Sequence, residues 1–185
     1  MKSVISPISS QSFTIPIAGR DHLQGLITAP IWLIEYGDYE CPYCGDAYPV
    51  VKAVQDKLGD KLCFAFRNFP LTNLHPHAEH AAEAAEAAGS QGHFWLMHDT
   101  LFENQQALED DDLVGYASAL RLDARRLFGE IIGGVHTARV RDDFRNGVRG
   151  GVNGTPTFFV NGQHYAGPIS AEGLLAAATR NGGHR

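Results

Sequence analysis

The stretch "IWLIEYGDYECPYCGDAY" (Ile31–Tyr48) sets the fold. A compact apolar run, Ile31 to Tyr36, leads to two cysteines separated by Pro-Tyr, and a single acid, Glu35, stands inside the run six positions ahead of Cys41. A short run rich in β-branched and aromatic residues, closed by a glycine, predicts a buried central strand. Beyond the cysteines, "DAYPVVKAVQDKLGD" (Asp46–Asp60) carries apolar residues at helical spacing and stops at Gly59. The cysteines therefore fall at a strand-to-helix turn. Pro49, inside the helical pattern, is expected to kink the helix or end its first turn.

That placement has chemical consequences. Cys-x-x-Cys spacing at a helix start puts both sulfurs on one side of the first turn, close enough to bond. Cys41 becomes the N-cap-like residue and Pro42 takes the first helical position, where its missing N–H costs nothing. Unpaired N–H groups and the helix dipole stabilise a Cys41 thiolate. Cys44 lies deeper and resolves a mixed disulfide, so the exposed sulfur attacks and the inner one releases. Strand alternation turns Glu35 toward one face of the sheet, beneath the helix. A partly buried carboxyl there has a raised pKa and can relay a proton to or from the inner thiol; the competing reading is an edge-strand acid in water.

Other residues offer weaker alternatives. A cysteine pair can be half of a zinc site, but two more ligands are needed, and there is no second Cys-x-x-Cys. "HPHAEH" supplies His75, His77 and His80, which could also form a site of their own, although a solvated helix start is their commoner fate. His93 and His98 do not share a helical face and read as ordinary. Cys63, in "LCFAF", is expected to pack as a small hydrophobe.

Outward from the cysteines, the 185-residue chain suits one domain carrying an insertion. The short pieces "SFTIPI" and "HLQGLI" lean toward strand, and "KLCFAFRNFP" (Lys61–Pro70) predicts a second full strand. From His75 to about residue 150 roughly five helical segments follow without a strand. "TFFV" and "QHYAG" flank Asn161-Gly162, a two-residue hairpin signal, and "SAEGLLAAATR" predicts a last helix capped by Ser170. The boundaries are then residues 1–70 for the first part of an α/β core, 71–150 for a helical insertion, and 151–185 for the second part of the core.

Composition narrows the partners. With 44% hydrophobic and 19% charged residues and a formal charge of −6, the chain is an ordinary globular one without a basic tract, which argues against nucleic acid or an anionic membrane surface as partner. No apolar stretch approaches a membrane span, and the N-terminal residues lack the apolar core of a signal peptide; a cytoplasmic location is expected. Three cysteines leave at least one without an intramolecular partner, so a close pair in a reducing compartment is redox-active or metal-binding rather than a structural framework.

A proline at the start of a buried strand removes a ladder donor. In "NGTPTFFVNG" (Asn153–Gly162) that proline is Pro156. A cis Thr155–Pro156 bond, which would press Pro156 toward the sulfurs and leave the Thr155 backbone free to pair with a peptide, and a trans proline leading into an edge strand are both compatible with the residues.

Taken together, "EYGDYECPYC", "FPLTNLHPHAEHAAEAAEAAG" and "GVNGTPTFFVNG" resemble the DsbA family of thioredoxin-fold proteins, from about Ile17 to Ala178. The resemblance implies a thioredoxin α/β core interrupted by an all-helical subdomain that shapes one wall of a substrate groove. It implies that Cys41 is the nucleophile, Cys44 the resolving cysteine, Glu35 the buried acid and Pro156 a cis-proline, with Thr155 contacting substrate; Pro42 and Tyr43 are expected to meet substrate as well. Tyr43 stands where the strongly oxidising members often carry histidine, and Pro-Tyr between the cysteines resembles glutaredoxins.

The expected activity is thiol–disulfide exchange on protein or peptide thiols and disulfides, or on glutathione, with no metal or organic cofactor and, in a cytoplasm, commonly in the reducing direction. A glutathione-dependent transferase or isomerase is the second reading, weakened by Cys44. A metal- or peptide-binding module without turnover is the third. The sequence sets no oligomeric state.

Overall fold

The computed structural model describes residues 19–181; the stretch "SFTIPI" lies outside them. In chain order the elements are β1 (His22–Gln24), β2 (Ile31–Gly37), α1 (Pro42–Leu58), β3 (Leu62–Asn68), α2 (Ala78–Ser90), α3 (Phe94–Glu103), α4 (Asp110–Ala119), α5 (Ala124–Ile132), α6 (Thr137–Arg149), β4 (Thr157–Val160), β5 (Gln163–His164) and α7 (Ala171–Asn181). They build a thioredoxin fold whose sheet runs β1-β3-β2-β4-β5. β2 and β3 are parallel and the other pairs antiparallel. A parallel pair cannot be joined by a hairpin, so the chain crosses over through α1, and that crossover carries the cysteines.

Local chemistry accounts for the elements that matter to the site. Cys41 is the N-cap of α1 and Pro42 its first residue. The helix runs through Pro49 to Leu58 rather than ending its first turn there. Proline removes one N–H from the ladder, and burial of Ala47, Val51 and Val54 along the same helix holds both sides of the gap in place. Between β4 and β5, Asn161 and Gly162 both adopt positive φ (49° and 80°), the conformation that a two-residue hairpin requires. The Asn161 side chain also accepts from the Trp32 N–H at 2.7 Å, tying the turn to β2. The Ser170 hydroxyl accepts from the Gly173 N–H at 3.1 Å at the start of α7.

The sheet has two covered faces. Ile31 and Leu33 of β2, Phe64 and Phe66 of β3 and Phe158 of β4 face α1, α3 and α7 in the larger core, which also contains Cys41 and Cys44. Ile34, Tyr36, Ala65 and Phe159 face the other way, with Phe69, Val152 and the partly buried Phe144 of α6. Gly147 of α6 meets this face so closely that a Cβ would lie 2.8 Å from the Phe69 ring and 2.9 Å from that of Tyr36. The last helix of the expected insertion thus closes the second face of the sheet. Within the insertion, α2 buries six alanines from Ala81 to Ala88, small side chains that let α3 and α5 approach it closely. Its Glu83 and Glu86 are buried as well, Glu83 accepting from the Thr137 hydroxyl and Glu86 meeting His22 and Asn68 at 2.8 Å each.

Candidate active site

Three segments converge on the cysteines: the β2–α1 turn, the loop before β4, and the insertion. Both cysteines are unpaired by disulfide and both are buried. Cys41 is 3% exposed and Cys44 0%, so the sulfur expected to attack is more covered than an exposed one. The Thr155–Pro156 segment lies over it: the Cys41 thiol faces the Thr155 carbonyl at 3.5 Å. The Thr155–Pro156 peptide bond is cis. Pro42 and Tyr43 are exposed at the helix start, Tyr43 by 71%, while Thr155 and Pro156 are half-buried.

The site separates the acidities of its groups. The Cys41 thiol falls to about 5: the Cys44 thiol is the leading donor to its sulfur, followed by the Thr155 side chain and the N–H groups of Cys44 and Tyr43, and together these outweigh burial. The Thr155 hydroxyl is buried and has no hydrogen-bond partner, which leaves it free to donate to a thiolate at Cys41. The Cys44 thiol moves the other way, well above 9, because burial opposes its ionisation and its proton is already given to Cys41. A low-pKa sulfur and a protonated partner therefore share one helical turn.

Glu35 lies on the cysteine side of the sheet. Its register neighbours are Phe66 on β3 and Phe158 on β4, both buried, and Glu35 itself is 2% exposed. Its Oε1 has no hydrogen-bond partner. Burial, and secondarily the Cys41 charge, raise its pKa to about 8. It is an interior acid, and β2 is a central strand rather than an edge.

The insertion grips the turn from two sides. The Gln105 side chain donates to the carbonyls of Tyr39 and Cys41 at 2.7 and 3.0 Å. From the β3–α2 loop, His75 and His77 reach the side chains of Asp38 and Glu40 at 2.7 and 2.9 Å. His80 pairs with Asp110 at 2.6 Å. The three histidines serve three different carboxylates and do not form one site. His98 is not an ordinary surface residue: it is buried, bonded to the Tyr39 hydroxyl at 3.1 Å, ringed by Phe66, Trp95 and Phe102, and pushed well below 6.5 by burial. Cys63 is fully buried in β3. Gln105, Asp38 and Tyr39 were not singled out by the sequence. Acids directly ahead of a cysteine and histidines directly after the next strand were the available signal.

The sequence matches the thioredoxin family over residues 18–178. The chain belongs to that family. Its fold is DsbA-like: it is similar to BdbD of Bacillus subtilis (TM-score 0.84, 22% identity, 94% of this chain and 98% of that one). A DsbA1 of Wolbachia pipientis is similar too (0.75, 20%, 90% and 93%), as is a thioredoxin-like oxidoreductase of Silicibacter pomeroyi (0.79, 25%, 88% and 92%). Among curated relatives, the Na(+)/H(+) antiporter NhaA 1 of Salinispora arenicola is 46% identical over 162 residues, 86% of this chain and 24% of that protein. The chain thus spans about a quarter of the length of the curated relatives it matches. Among the described residues of this thioredoxin-family protein, no helix is long and apolar enough to cross a membrane.

Proposed function

We propose that this protein is a thiol–disulfide oxidoreductase working through the Cys41–Cys44 couple. One observation carries the reading: two cysteines on one helical turn have acidities driven in opposite directions, Cys41 to about 5 and Cys44 well above 9. At neutral pH Cys41 is a thiolate and Cys44 keeps its proton. In the reducing direction the Cys41 thiolate attacks one sulfur of a substrate disulfide; that S–S bond breaks, the leaving sulfur departs as thiolate, and a mixed disulfide forms at Cys41. Cys44 then gives up its proton and attacks Cys41, releasing the second substrate thiolate. Two cysteine thiols are oxidised to a disulfide and one substrate disulfide is reduced to two thiols. The reverse sequence oxidises a substrate dithiol.

The thiolate also bears on direction. A thiolate that is stabilised only in the reduced form makes the couple more oxidising. A pKa of about 5 falls between the values of about 7 for thioredoxin and about 3.5 for DsbA. We expect a potential between their roughly −270 and −120 mV, above that of a dedicated cytoplasmic reductant. Exposed Pro42 and Tyr43 beside Thr155 and Pro156 suit an extended peptide as substrate, with glutathione as a smaller alternative. Equilibration in glutathione buffers tests the couple, and Cys41→Ser should abolish exchange. Full residual exchange in that variant would sink the assignment.

A further inference from the structure

A thiolate at Cys41 has unfavourable neighbours in the chain. Asp38 and Glu40 stand three and one residues ahead of it, and a nearby like charge disfavours ionisation. Asp38 touches both cysteines through its backbone: its carbonyl accepts from the Cys41 N–H at 3.2 Å, and its N–H points at the Cys44 sulfur at 3.4 Å. Its carboxylate is fully buried. Yet each acid is met by a histidine from the β3–α2 loop.

His75 Nδ1 lies 2.7 Å from Asp38 Oδ2, the oxygen that also accepts from the Leu71 N–H at 2.8 Å. Asp38 Oδ1 accepts from the Glu40 N–H at 2.8 Å. His77 binds Glu40 twice, through its backbone N–H at 2.6 Å and through Nδ1 at 2.9 Å. One loop therefore meets both acids. The first pair is largely enclosed, with 17% and 0% of the side chains exposed; the second is more open, at 41% and 19%.

We propose that His75 and His77 are positioning residues for the nucleophile: they occupy the Asp38 and Glu40 carboxylates, and positive charge on His75 supplies from the insertion loop what Tyr43 does not supply between the cysteines. Burial alone would lower the His75 pKa, but the bond and charge of Asp38, then the charges of Cys41 and Glu40, raise it. His75 is thus within the field of the Cys41 thiolate, and what the thiolate does for the imidazolium the imidazolium does for the thiolate. The groups facing His75 in that field are Asp38, Glu40 and Cys41.

The proposal deepens the redox reading, but its first measurement does not depend on it. The Cys41 pKa is read from thiolate ultraviolet absorbance against pH in wild type, His75→Gln, Asp38→Asn and the double variant, with His77→Gln, Glu40→Gln and their double as a parallel set. His75→Gln should leave Asp38 uncompensated and raise the Cys41 pKa by about one unit, a tenfold loss of thiolate on the acid side. Equilibration with glutathione should shift about tenfold toward the disulfide, which is about 30 mV more reducing.

Adding Asp38→Asn should bring both values back toward wild type, because the charge to be compensated has gone. A merely structural role predicts further loss instead. His77→Gln should give a smaller shift, about twofold, that fades at high salt. If the Asp38 variants do not fold, the more open Glu40–His77 set carries the same cycle. A folded His75→Gln with unchanged pKa and glutathione equilibrium, or a double variant that shows no recovery, overturns the proposal. If wild type formed no disulfide in any glutathione buffer, the redox reading would fail, while the pKa cycle would still decide this one.

Discussion

Replacing Glu35 with glutamine keeps the shape of a side chain held between Phe66 and Phe158 and removes its charge. The folded carboxyl titrates at about 8 against a reference of 4.5, and each pKa unit is about 1.36 kcal/mol, so the ionised group costs the fold about 5 kcal/mol. The direction follows from the raised value: the stability that protonated Glu35 retains is complete below pH 4.5 and is lost as pH rises to about 8. By pH 7 roughly 3 kcal/mol of it is gone, and above 8 the loss levels off.

Urea unfolding of reduced wild type and Glu35→Gln near pH 5, 7 and 9 measures this directly. The variant should gain on wild type as pH rises, the difference widening by about 4 kcal/mol across that span. Cys41 is depressed and so contributes with the opposite sign, but it is present in both proteins and cancels in the difference. A difference that stays constant to within about 1 kcal/mol would refute the buried acid. Repeating the series on the disulfide form separates the two causes. With no thiolate present, burial alone remains, and because burial is the larger cause most of the widening should survive. Its disappearance would mean that the thiolate, not the apolar setting, holds the proton on Glu35.

Other perturbations test neighbouring parts of the argument. Glu35→Gln should also slow release of a mixed disulfide from Cys41 by about 10²-fold at neutral pH, the low end for loss of a proton-transfer group; rapid-quench kinetics that match wild type would remove it from the exchange. Cys44→Ser should trap mixed disulfides at Cys41, visible by mass spectrometry. Cys44→Ala should in addition lower Cys41 alkylation in mild acid, because it removes the Cys44 thiol, the leading donor to that sulfur. Gly147→Ala places a methyl 2.8 Å from the Phe69 ring and should cost about 1–3 kcal/mol by overpacking. A thermal melt indistinguishable from wild type would show that α6 yields more easily than its contact implies.

The core of the fold was legible because its signals are local. Ile31–Tyr36 reads as a strand from its own composition, Asn161-Gly162 as a hairpin from backbone requirements, and the cysteines as a helix start from Pro42. Glu35 was legible for a related reason: an acid amid apolar neighbours on a strand must face one side of a sheet. What escaped depends on contacts far apart in sequence. The bond from Gln105 to Cys41 spans 64 positions and that from His75 to Asp38 spans 37. No period or propensity encodes such pairings. His98 looked ordinary because it shares no helical face with His93, and only the packing of α3 against Phe66 reveals its neutral, buried state. Pro49 does not end the first turn of α1: the lost N–H is a local penalty, and the apolar face of the helix outweighs it.

The opposite acidities also suggest why a carboxyl is kept where it costs stability. While Cys41 is a thiolate, its charge helps to hold the proton on Glu35. When Cys41 enters a mixed disulfide that charge disappears, and Glu35 becomes the stronger acid at the moment when Cys44 must lose its proton. Glu35 and Cys44 lie within each other's field; burial still keeps much of Glu35 protonated, and we propose that the larger ionised fraction then receives that proton. When the thiolate is regenerated the relation reverses and the proton is held again. A carboxyl in water would ionise near its ordinary value throughout and respond weakly to the state of Cys41, because solvent would screen the coupling. Burial between Phe66 and Phe158 makes the acid responsive, and it is the same burial that destabilises the fold at high pH.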